Sequence, residues 1–274
     1  MIMKKPAHRH AARQARIFSA VVAIVAALMT THTLPASAFE LVRNGKGKAT
    51  AESWLIADWP AGQSKIMRWA PGNIVATEDG GMKVILDQDP EDKNSYRGGE
   101  IQSSAVAEEG TWEFRAKAPD MVSGAVFGMF LYQANWKKDP WREYDIEFVG
   151  SDTTRVQLNI HFQDANGKRI SLDQARGGPV IVDLGFDAAE GMHDYAIDIS
   201  PGQVIFRVDG EVLGQFGPDD MPGNIWSDGR LRGFVDLWAA APGQADWTGR
   251  WNYPGKPLVA RVERLKLPVG ATLP

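Results

Sequence analysis

The stretch Glu143-Tyr144-Asp145-Ile146-Glu147-Phe148 alternates three carboxylates with three apolar or aromatic side chains. Successive side chains of a β-strand point to opposite faces of a sheet, so this alternation predicts a strand. Tyr144, Ile146 and Phe148 then share the face that turns towards a hydrophobic core. The three carboxylates share the other face, where they repel one another and do nothing to stabilise the strand.

Three like charges on one strand face admit two interpretations. The simpler one is a solvated outer face, as for most runs of charge. The other is a catalytic site, because neighbouring carboxylates push their pKa values apart, so that one stays protonated while another is ionised. The flanks favour the second interpretation, since Asp139-Pro140-Trp141 precedes the stretch and Gly150 follows it, which indicates a loop–strand junction beside a tryptophan.

The spacing of the outer two carboxylates sets a geometric condition on such a site. A retaining glycosidase needs two carboxyl groups about 5–5.5 Å apart. Glu143 and Glu147 are four positions apart, so their Cα atoms lie ~13 Å apart on a straight strand. Two long side chains that lean inward on a concave strand close that gap, with the shorter Asp145 between them.

The rest of the chain also has the pattern of an all-β protein. Turn residues recur at short intervals, with alternating segments between them, and Asp209-Gly210 is typical of a tight hairpin turn. Asp187–Gly191 is predicted to form one short turn. Many antiparallel strands without a long helix predict two packed sheets, a β-sandwich or jelly roll. The predicted strands are Met82–Leu86, Trp112–Ala116, Ala125–Tyr132, Glu143–Val149, Val156–Phe162, Tyr195–Ile199, Val204–Val208, Leu231–Trp238 and Arg261–Leu267.

Two of the predicted strands have one apolar face and one face that mixes polar and aromatic groups. The residues on the mixed face are Gln157, Asn159 and His161 in the first strand and Arg232, Phe234, Asp236 and Trp238 in the second. A concave sheet with such a face forms a groove suited to a polysaccharide.

Residues 1–38 have the features of a secretory signal peptide. A basic start is followed by the short apolar run Ile17–Met29 and by Pro35-Ala36-Ser37-Ala38, an A-x-A-like cleavage site before Phe39. The apolar run is too short to cross a membrane. We therefore expect cleavage, a secreted or periplasmic protein without membrane attachment, and one mature catalytic domain of residues 39–274.

The composition excludes several classes of function. The net charge of −4 is small and leaves no basic footprint for nucleic acid or an anionic membrane. There is no cysteine, so disulfides cannot staple the exported fold. Ten tryptophans are unusual, and they suit a sugar binder, because an indole offers an apolar face and a polar N–H.

Several motifs together match one known family. The segment Trp141–Asn159 carries the E-x-D-x-E spacing, and it is accompanied by Gly98–Ser103, His193–Ala196 with Val208–Gly210, Leu237-Trp238 and Asp246–Gly249. In this order and with these flanks, the set resembles glycoside hydrolase family 16, and most closely its lichenase and exopolysaccharide-depolymerase branch. The resemblance extends over most of residues 39–274.

The resemblance implies a concanavalin-like β-jelly-roll with a concave substrate groove and a retaining double displacement. Glu143 would be the nucleophile that attacks the anomeric carbon. Glu147 would be the general acid for the leaving oxygen and then the base for the incoming water. Asp145 would be the assisting carboxylate between them.

The resemblance also implies substrate-binding residues, whose structural alternatives are core aromatics and ordinary strand polar groups. His161 stands where the lichenase branch usually has Tyr. Asp236 stands where relatives often carry Asn, and an acid there would disfavour an anionic sugar. The full set is Trp141, Trp238 and Trp247 for stacking on sugar rings, and Glu100, Asn159, His161 and Asp236 for hydrogen bonds to sugar hydroxyls.

No cofactor is expected for catalysis. The sequence has no His/Cys cluster with metal-ligand spacing and no G-x-S-x-G motif of a serine hydrolase. Many members of the family bind a structural calcium through an Asp of the last strand. Here that region reads Val262-Glu263-Arg264-Leu265, so the resemblance allows a structural Ca²⁺ without identifying its ligand.

These observations predict a monomeric, endo-acting β-glycan hydrolase whose substrate is mixed-linkage β-1,3-1,4-glucan or a bacterial exopolysaccharide. Two alternatives stay open. One is a non-catalytic carbohydrate-binding protein on the same scaffold, because a fold does not fix a function, although a binder has no need of three crowded carboxylates. The other is a transglycosylase, in which a sugar hydroxyl replaces water in the second step.

Overall fold

The computed structural model describes residues 40–43 and 48–274, which form two facing β-sheets. Two helices, α1 (Leu172–Arg176) and α2 (Ala245–Thr248), and four 3₁₀ turns lie in the connections. In chain order the strands are β1 (Glu40–Arg43), β2 (Ser53–Ile56), β3 (Met67–Trp69), β4 (Ile74–Ala76), β5 (Met82–Gln88), β6 (Tyr96–Ser103), β7 (Gly110–Lys117), β8 (Ala125–Gln133), β9 (Arg142–Val149), β10 (Arg155–Gln163), β11 (Arg169–Ser171), β12 (Val180–Asp183), β13 (His193–Ser200), β14 (Gln203–Val208), β15 (Glu211–Phe216), β16 (Leu231–Ala239) and β17 (Leu258–Lys266).

The first sheet, which we call the groove sheet, has the order β1-β2-β6-β16-β8-β9-β10, and both β11 and β12 pair with β10. The second, the outer sheet, has the order β4-β5-β17-β7-β13-β14-β15. The pairing of β5 with β6 joins the two sheets at one corner. Neighbouring strands are antiparallel except in the pairs β1–β2 and β3–β6, so the predicted two-sheet antiparallel sandwich is confirmed.

The core lies between the sheets and contains the apolar face of β9. Tyr144, Ile146 and Phe148 are 1%, 0% and 0% exposed. Phe148 meets Tyr195 of the outer sheet edge to face, with ring centroids 5.9 Å apart. Complete burial of a side chain such as Phe148 stabilises the fold by about 1.5–3 kcal/mol. The carboxylates of β9 therefore point away from the core, as the alternation predicts.

All nine predicted strands are present, most of them one to three residues longer than predicted. The hairpin turn is confirmed too, since Asp209 and Gly210 have φ values of 48° and 86°, as a turn with two left-handed residues requires. Asp187–Gly191 forms a hydrogen-bonded turn, closed by the Glu190 N–H and the Asp187 carbonyl. The alternation misses α1, α2 and the three- and four-residue strands, because such short elements carry no measurable period. It also misses the eight-residue strand β6, in which Gly98-Gly99 interrupts the alternation.

The predicted signal peptide, residues 1–38, lies outside the described residues. Within residues 40–43 and 48–274, no helix is long and apolar enough to cross a membrane.

Candidate active site

The three carboxylates of β9 lie on the open face of the groove sheet, where β9 is flanked by β8 and β10. Asp145 is buried, and Glu143 and Glu147 are partly exposed on either side of it. Because β9 has a partner strand on each side, side chains of both neighbours lie against the carboxylates. The site is thus assembled by strand register.

The register places the open-face residues in three rows across the sheet, with neighbouring strands about 4.8 Å apart. We call the row through Glu147 the carboxyl row, because it holds three acids. Its members, from β10 to β6, are Gln157, Glu147, Gly128, Asp236 and Glu100. The middle row is Asn159, Asp145, Phe130, Phe234 and Gln102, and the third is His161, Glu143, Tyr132 and Arg232.

Gly128 and two phenylalanines form part of the floor between the acids. A Cβ atom at Gly128 would lie 2.7 Å from the Asp236 carboxyl oxygen, so this side chain occupies the space above the glycine. Phe130 and Phe234 stack across the β8–β16 pair with centroids 4.9 Å apart. The floor is therefore apolar in the middle row and acidic in the carboxyl row.

The surroundings of Glu143 and Glu147 separate their pKa values. Burial raises the pKa of Glu143 to about 7, while a hydrogen bond from the Trp141 indole N–H (2.6 Å) and the charge of Arg169 act in the opposite direction. Burial and the negative charge of Glu143 raise the pKa of Glu147 to about 8. Glu143 therefore ionises before Glu147, which is the order that a nucleophile and a general acid require.

The pKa of Asp145, the buried member of the three, is shifted in the same direction. Burial and the charges of Glu143, Glu147, Asp236 and Asp173 hold its pKa well above the ordinary range. A protonated Asp145 between two glutamates can donate a hydrogen bond, which an ionised carboxylate cannot.

His161 and Trp141 form a stacked pair at the Glu143 end of the groove. Their rings are 5.0 Å apart and inclined by 3°, and the Arg169 guanidinium lies 4.0 Å from the Trp141 centroid. The His161 Nε2 atom lies 3.5 Å from Asp145. Burial lowers the pKa of His161 to about 4, so this contact joins two neutral groups. Because His161 already lies against the indole, sugar stacking on Trp141 stays a prediction.

Trp238 and Trp247 lie together at the other end of the groove, with centroids 6.0 Å apart. Trp238 is only 4% exposed, whereas Trp247 is 37% exposed and more available to a ligand. The Trp247 indole N–H donates to the Gln157 side chain at 2.8 Å, which ties α2 to the end of the carboxyl row.

The remaining predicted residues have different surroundings. Glu100 and Asp236 are buried cross-strand neighbours in the carboxyl row. The Asn159 side-chain oxygen accepts from the Asp173 N–H at 3.3 Å and so fixes the start of α1 beside the groove. The structure brings all ten predicted residues to one face and its rim, and their roles towards a sugar stay predictions.

Strand register also reveals groove residues that the sequence motifs leave out. They are Gly128, Phe130 and Arg169. Alternation indicates that Phe234 and Gln157 share the open face. Nothing in the sequence alone indicates that Gly128 separates Glu147 from Asp236, because that requires the pairing of strands distant in the chain.

The donor set does not fit the structural calcium that the resemblance allows. Glu263 accepts from the Arg115 guanidinium at 3.3 Å and lies 3.5 Å from that of Arg261. Two cations therefore occupy the surroundings in which Ca²⁺ would need six to eight oxygen ligands. In the described part of the chain, no group of three or more His, Cys, Asp or Glu side chains is arranged to hold a metal. The expectation of a structural Ca²⁺ is not supported.

Comparison with known proteins agrees with this geometry. The chain is 31% identical over 219 residues to a β-glucanase of Acetivibrio thermocellus, and the match covers 79% of this chain but only 59% of that relative. The solved β-glucanase of Bacillus licheniformis is 30% identical, with a TM-score of 0.64 and coverage of 81% of this chain and 93% of that one. A solved β-1,3-1,4-glucanase (lichenase) derived from a mouse hindgut metagenome is 30% identical, with a TM-score of 0.62 and coverage of 77% and 91%.

The sequence profile of the family described as "Glycosyl hydrolases family 16" matches residues 62–254, which include the groove carboxylates and both groove tryptophans of the far end. The matched region is well over half of the chain, and the fold and the placement of the carboxylates agree with it. The protein therefore belongs to glycosyl hydrolase family 16.

Proposed function

We propose that the protein is an endo-acting β-glucanase that cleaves internal bonds of mixed-linkage β-1,3-1,4-glucan with retention at the anomeric carbon. The observation that carries the proposal is the placement of Glu143 and Glu147 on one groove face, with Asp145 between them and the Trp141 indole N–H bonded to Glu143. Burial and the negative charge of Glu143, which raise the pKa of Glu147, support the assignment of Glu147 as the acid. The names of the relatives, β-glucanase and lichenase, support this choice of substrate.

In the first step, a carboxylate oxygen of Glu143 attacks the anomeric carbon while Glu147 gives its proton to the glycosidic oxygen. The bond between the anomeric carbon and the glycosidic oxygen breaks, and the reducing-side fragment leaves as an alcohol. An ester bond now joins the anomeric carbon of the glycosyl unit to Glu143. In the second step, Glu147 takes a proton from water, and the water oxygen displaces Glu143 from the same carbon. Two inversions give net retention.

Neighbouring residues support these roles. The Trp141 indole N–H holds the Glu143 carboxylate and favours its ionised form. Protonated Asp145, between the two glutamates, can donate a hydrogen bond to Glu143 when the ester bond breaks. Neutral His161 adds no positive charge that would lower the pKa of Asp145.

The test is reducing-end release and viscosity loss on barley mixed-linkage glucan, laminarin, xyloglucan, agarose and a succinoglycan-type exopolysaccharide. We expect rapid viscosity loss on the mixed-linkage glucan. Glu143→Gln should lower turnover by several orders of magnitude and retain binding, because the covalent step is lost. Glu211→Gln, on an exposed position of β15, is the matched control and should keep full activity.

The same panel separates the alternatives. Cleavage of the exopolysaccharide alone would show that the substrate is the exopolysaccharide and not the mixed-linkage glucan. Binding without release on any polymer, unchanged by Glu143→Gln, would indicate a carbohydrate-binding protein. Release that appears only when an acceptor oligosaccharide is added would indicate a transglycosylase. Retention itself is tested by proton NMR of the first-formed product, which should be the β-anomer.

We also propose that the protein is exported and acts as a monomer. Export follows from the predicted signal peptide, and the mature protein should begin at Phe39 when recovered from the periplasm or medium and sequenced from its N-terminus. Light scattering after gel filtration should give the mass of one mature chain. An uncleaved cytoplasmic protein, or a dimer mass, would refute the respective proposal.

A further inference from the structure

Asp236 is a buried carboxyl that the proposed mechanism does not use. It lies in the carboxyl row, separated from Glu147 only by Gly128, and it is 3% exposed. Its Oδ1 atom is buried above Gly128 and has no hydrogen-bond partner among the described residues. Unpartnered buried carboxyl oxygens are uncommon in folded proteins and require an explanation.

The groups that face Asp236 are negative or neutral. On β6, Glu100 is its direct cross-strand neighbour; on β8 it faces Gly128; on β9 it faces Glu147 and Glu143. Among the described residues, no Lys, Arg or His acts on the pKa of Asp236. An ionised Asp236 would be a buried charge beside three acids, which is unfavourable, and protonation removes that cost. Burial and these acids raise the pKa of Asp236 well above its ordinary range, and the nearby Gly128 backbone N–H, which forms no well-aligned hydrogen bond with it, acts weakly in the opposite direction.

The family resemblance already places Asp236 among the sugar-binding residues; we propose that it fills this place as a neutral carboxylic acid, which donates a hydrogen bond to a hydroxyl of the sugar bound beside Glu147. This inference rests on the proposed function. A protonated carboxyl has nearly the shape of an amide and, like it, offers both a donor and an acceptor. A neutral Asp236 also does not repel an anionic sugar, so the repulsion expected from an acid at this position arises only after it ionises.

The first measurement concerns protonation and does not depend on activity. Infrared difference spectra of the wild type minus Asp236→Asn should contain the carbonyl band of one protonated carboxylic acid at pH 7. The band should disappear only at alkaline pH. Its absence at pH 7 would overturn the inference, since Asp236 would then be an ordinary ionised carboxylate.

The second measurement concerns the donor role. In the Glu143→Gln background, calorimetry would follow the binding of a mixed-linkage tetrasaccharide as the pH rises. The infrared band is followed in this background too, because Glu143→Gln removes a charge that acts on the pKa of Asp236. Affinity should fall where the band of this background disappears, and Asp236→Asn should abolish that part of the pH dependence while binding within about threefold of the parent at pH 6. Asp236→Leu should lose about tenfold or more at all pH values, because the sugar hydroxyl loses its partner.

Equal affinities for the Asn and Leu variants would overturn the donor role, since an amide would then not substitute for the acid. Matching near-ultraviolet circular dichroism of both variants would show that the groove is intact. A wild-type protein that cleaves none of the glucans would refute the proposed function, whereas the infrared band would still decide the protonation of Asp236.

Discussion

Replacing Glu100 by Gln is expected to make the protein more stable at neutral pH and no more stable at pH 4. Glu100 is 8% exposed, and burial raises its pKa from 4.5 to about 8. The unfolded chain releases this proton near pH 4.5, whereas the folded protein holds it until about pH 8. The free energy of unfolding therefore falls as the pH rises between these values and levels off above them.

The size of the effect follows from the shift. One pKa unit corresponds to about 1.4 kcal/mol, so protonating Glu100 costs the folded protein about 3 kcal/mol at pH 7. Glutamine never ionises, and its amide offers a donor and an acceptor as the protonated Glu100 carboxyl does, so the variant avoids this cost without adding a contact. We expect Glu100→Gln to raise the free energy of unfolding by about 3 kcal/mol at pH 7, which corresponds to roughly 6–12 °C in the melting temperature of a domain of this size.

Urea titrations followed by tryptophan fluorescence at pH 4, 5.5 and 7 provide the assay. Glu211→Gln, on the exposed edge of the outer sheet, should change stability by less than about 0.5 kcal/mol at each pH. A gain from Glu100→Gln that is equal at pH 4 and pH 7 would refute the reasoning, because the benefit would then come from packing. So would a loss at pH 7, which would mean that Glu100 is already ionised in the folded protein.

Three further changes test the site and the core. The kcat/KM of the wild type should fall as the pH rises through about 8, because Glu147 must be protonated to act as the acid. Glu147→Gln should remove the activity. A kcat/KM that stays constant up to pH 10 would exclude the acid role of Glu147. Gly128→Ala should lower activity at least tenfold and the free energy of unfolding by about 1–3 kcal/mol, because the methyl group would lie 2.7 Å from the Asp236 carboxyl oxygen. A variant with wild-type kinetics and a wild-type urea midpoint would show that the carboxyl row tolerates a side chain at this position. Tyr195→Phe should raise the free energy of unfolding by about 1 kcal/mol, since it removes a buried hydroxyl without a partner among the described residues, and a loss measured by urea titration would reveal a hydrogen bond to water.

Local patterns in the sequence predict the strands well and their partners poorly. The alternation in Glu143–Phe148 identifies the strand and its buried face, because period-two patterning is a property of six consecutive residues. The position of Glu100 opposite Asp236 is a property of two segments far apart in the chain. From the sequence alone, only the family resemblance of Gly98–Ser103 and Leu237-Trp238 predicts that both segments line one groove.

The electrostatic character of the site is likewise a tertiary property. The sequence predicts that crowding separates carboxyl pKa values, and the structure adds that burial is the largest cause for each of Glu143, Asp145 and Glu147. Arg169, which acts on Glu143, enters from β11, a three-residue strand without a periodic signal. The neutral state of His161 depends on burial beside Trp141 and cannot be deduced from its place in the sequence.

The carboxyl row has a consequence for how the protein acquires its activity. Its members come from five strands, and the β16–β6 and β16–β8 pairings each join distant parts of the chain. Contacts of such large sequence separation form slowly, since loop-closure entropy must be overcome before they contribute any energy. Without a disulfide to hold intermediates together, the groove exists only once these pairings are complete. If the protein has the proposed activity, recovered activity during refolding should therefore lag behind the recovery of strand content, and the activity would then measure the completion of folding.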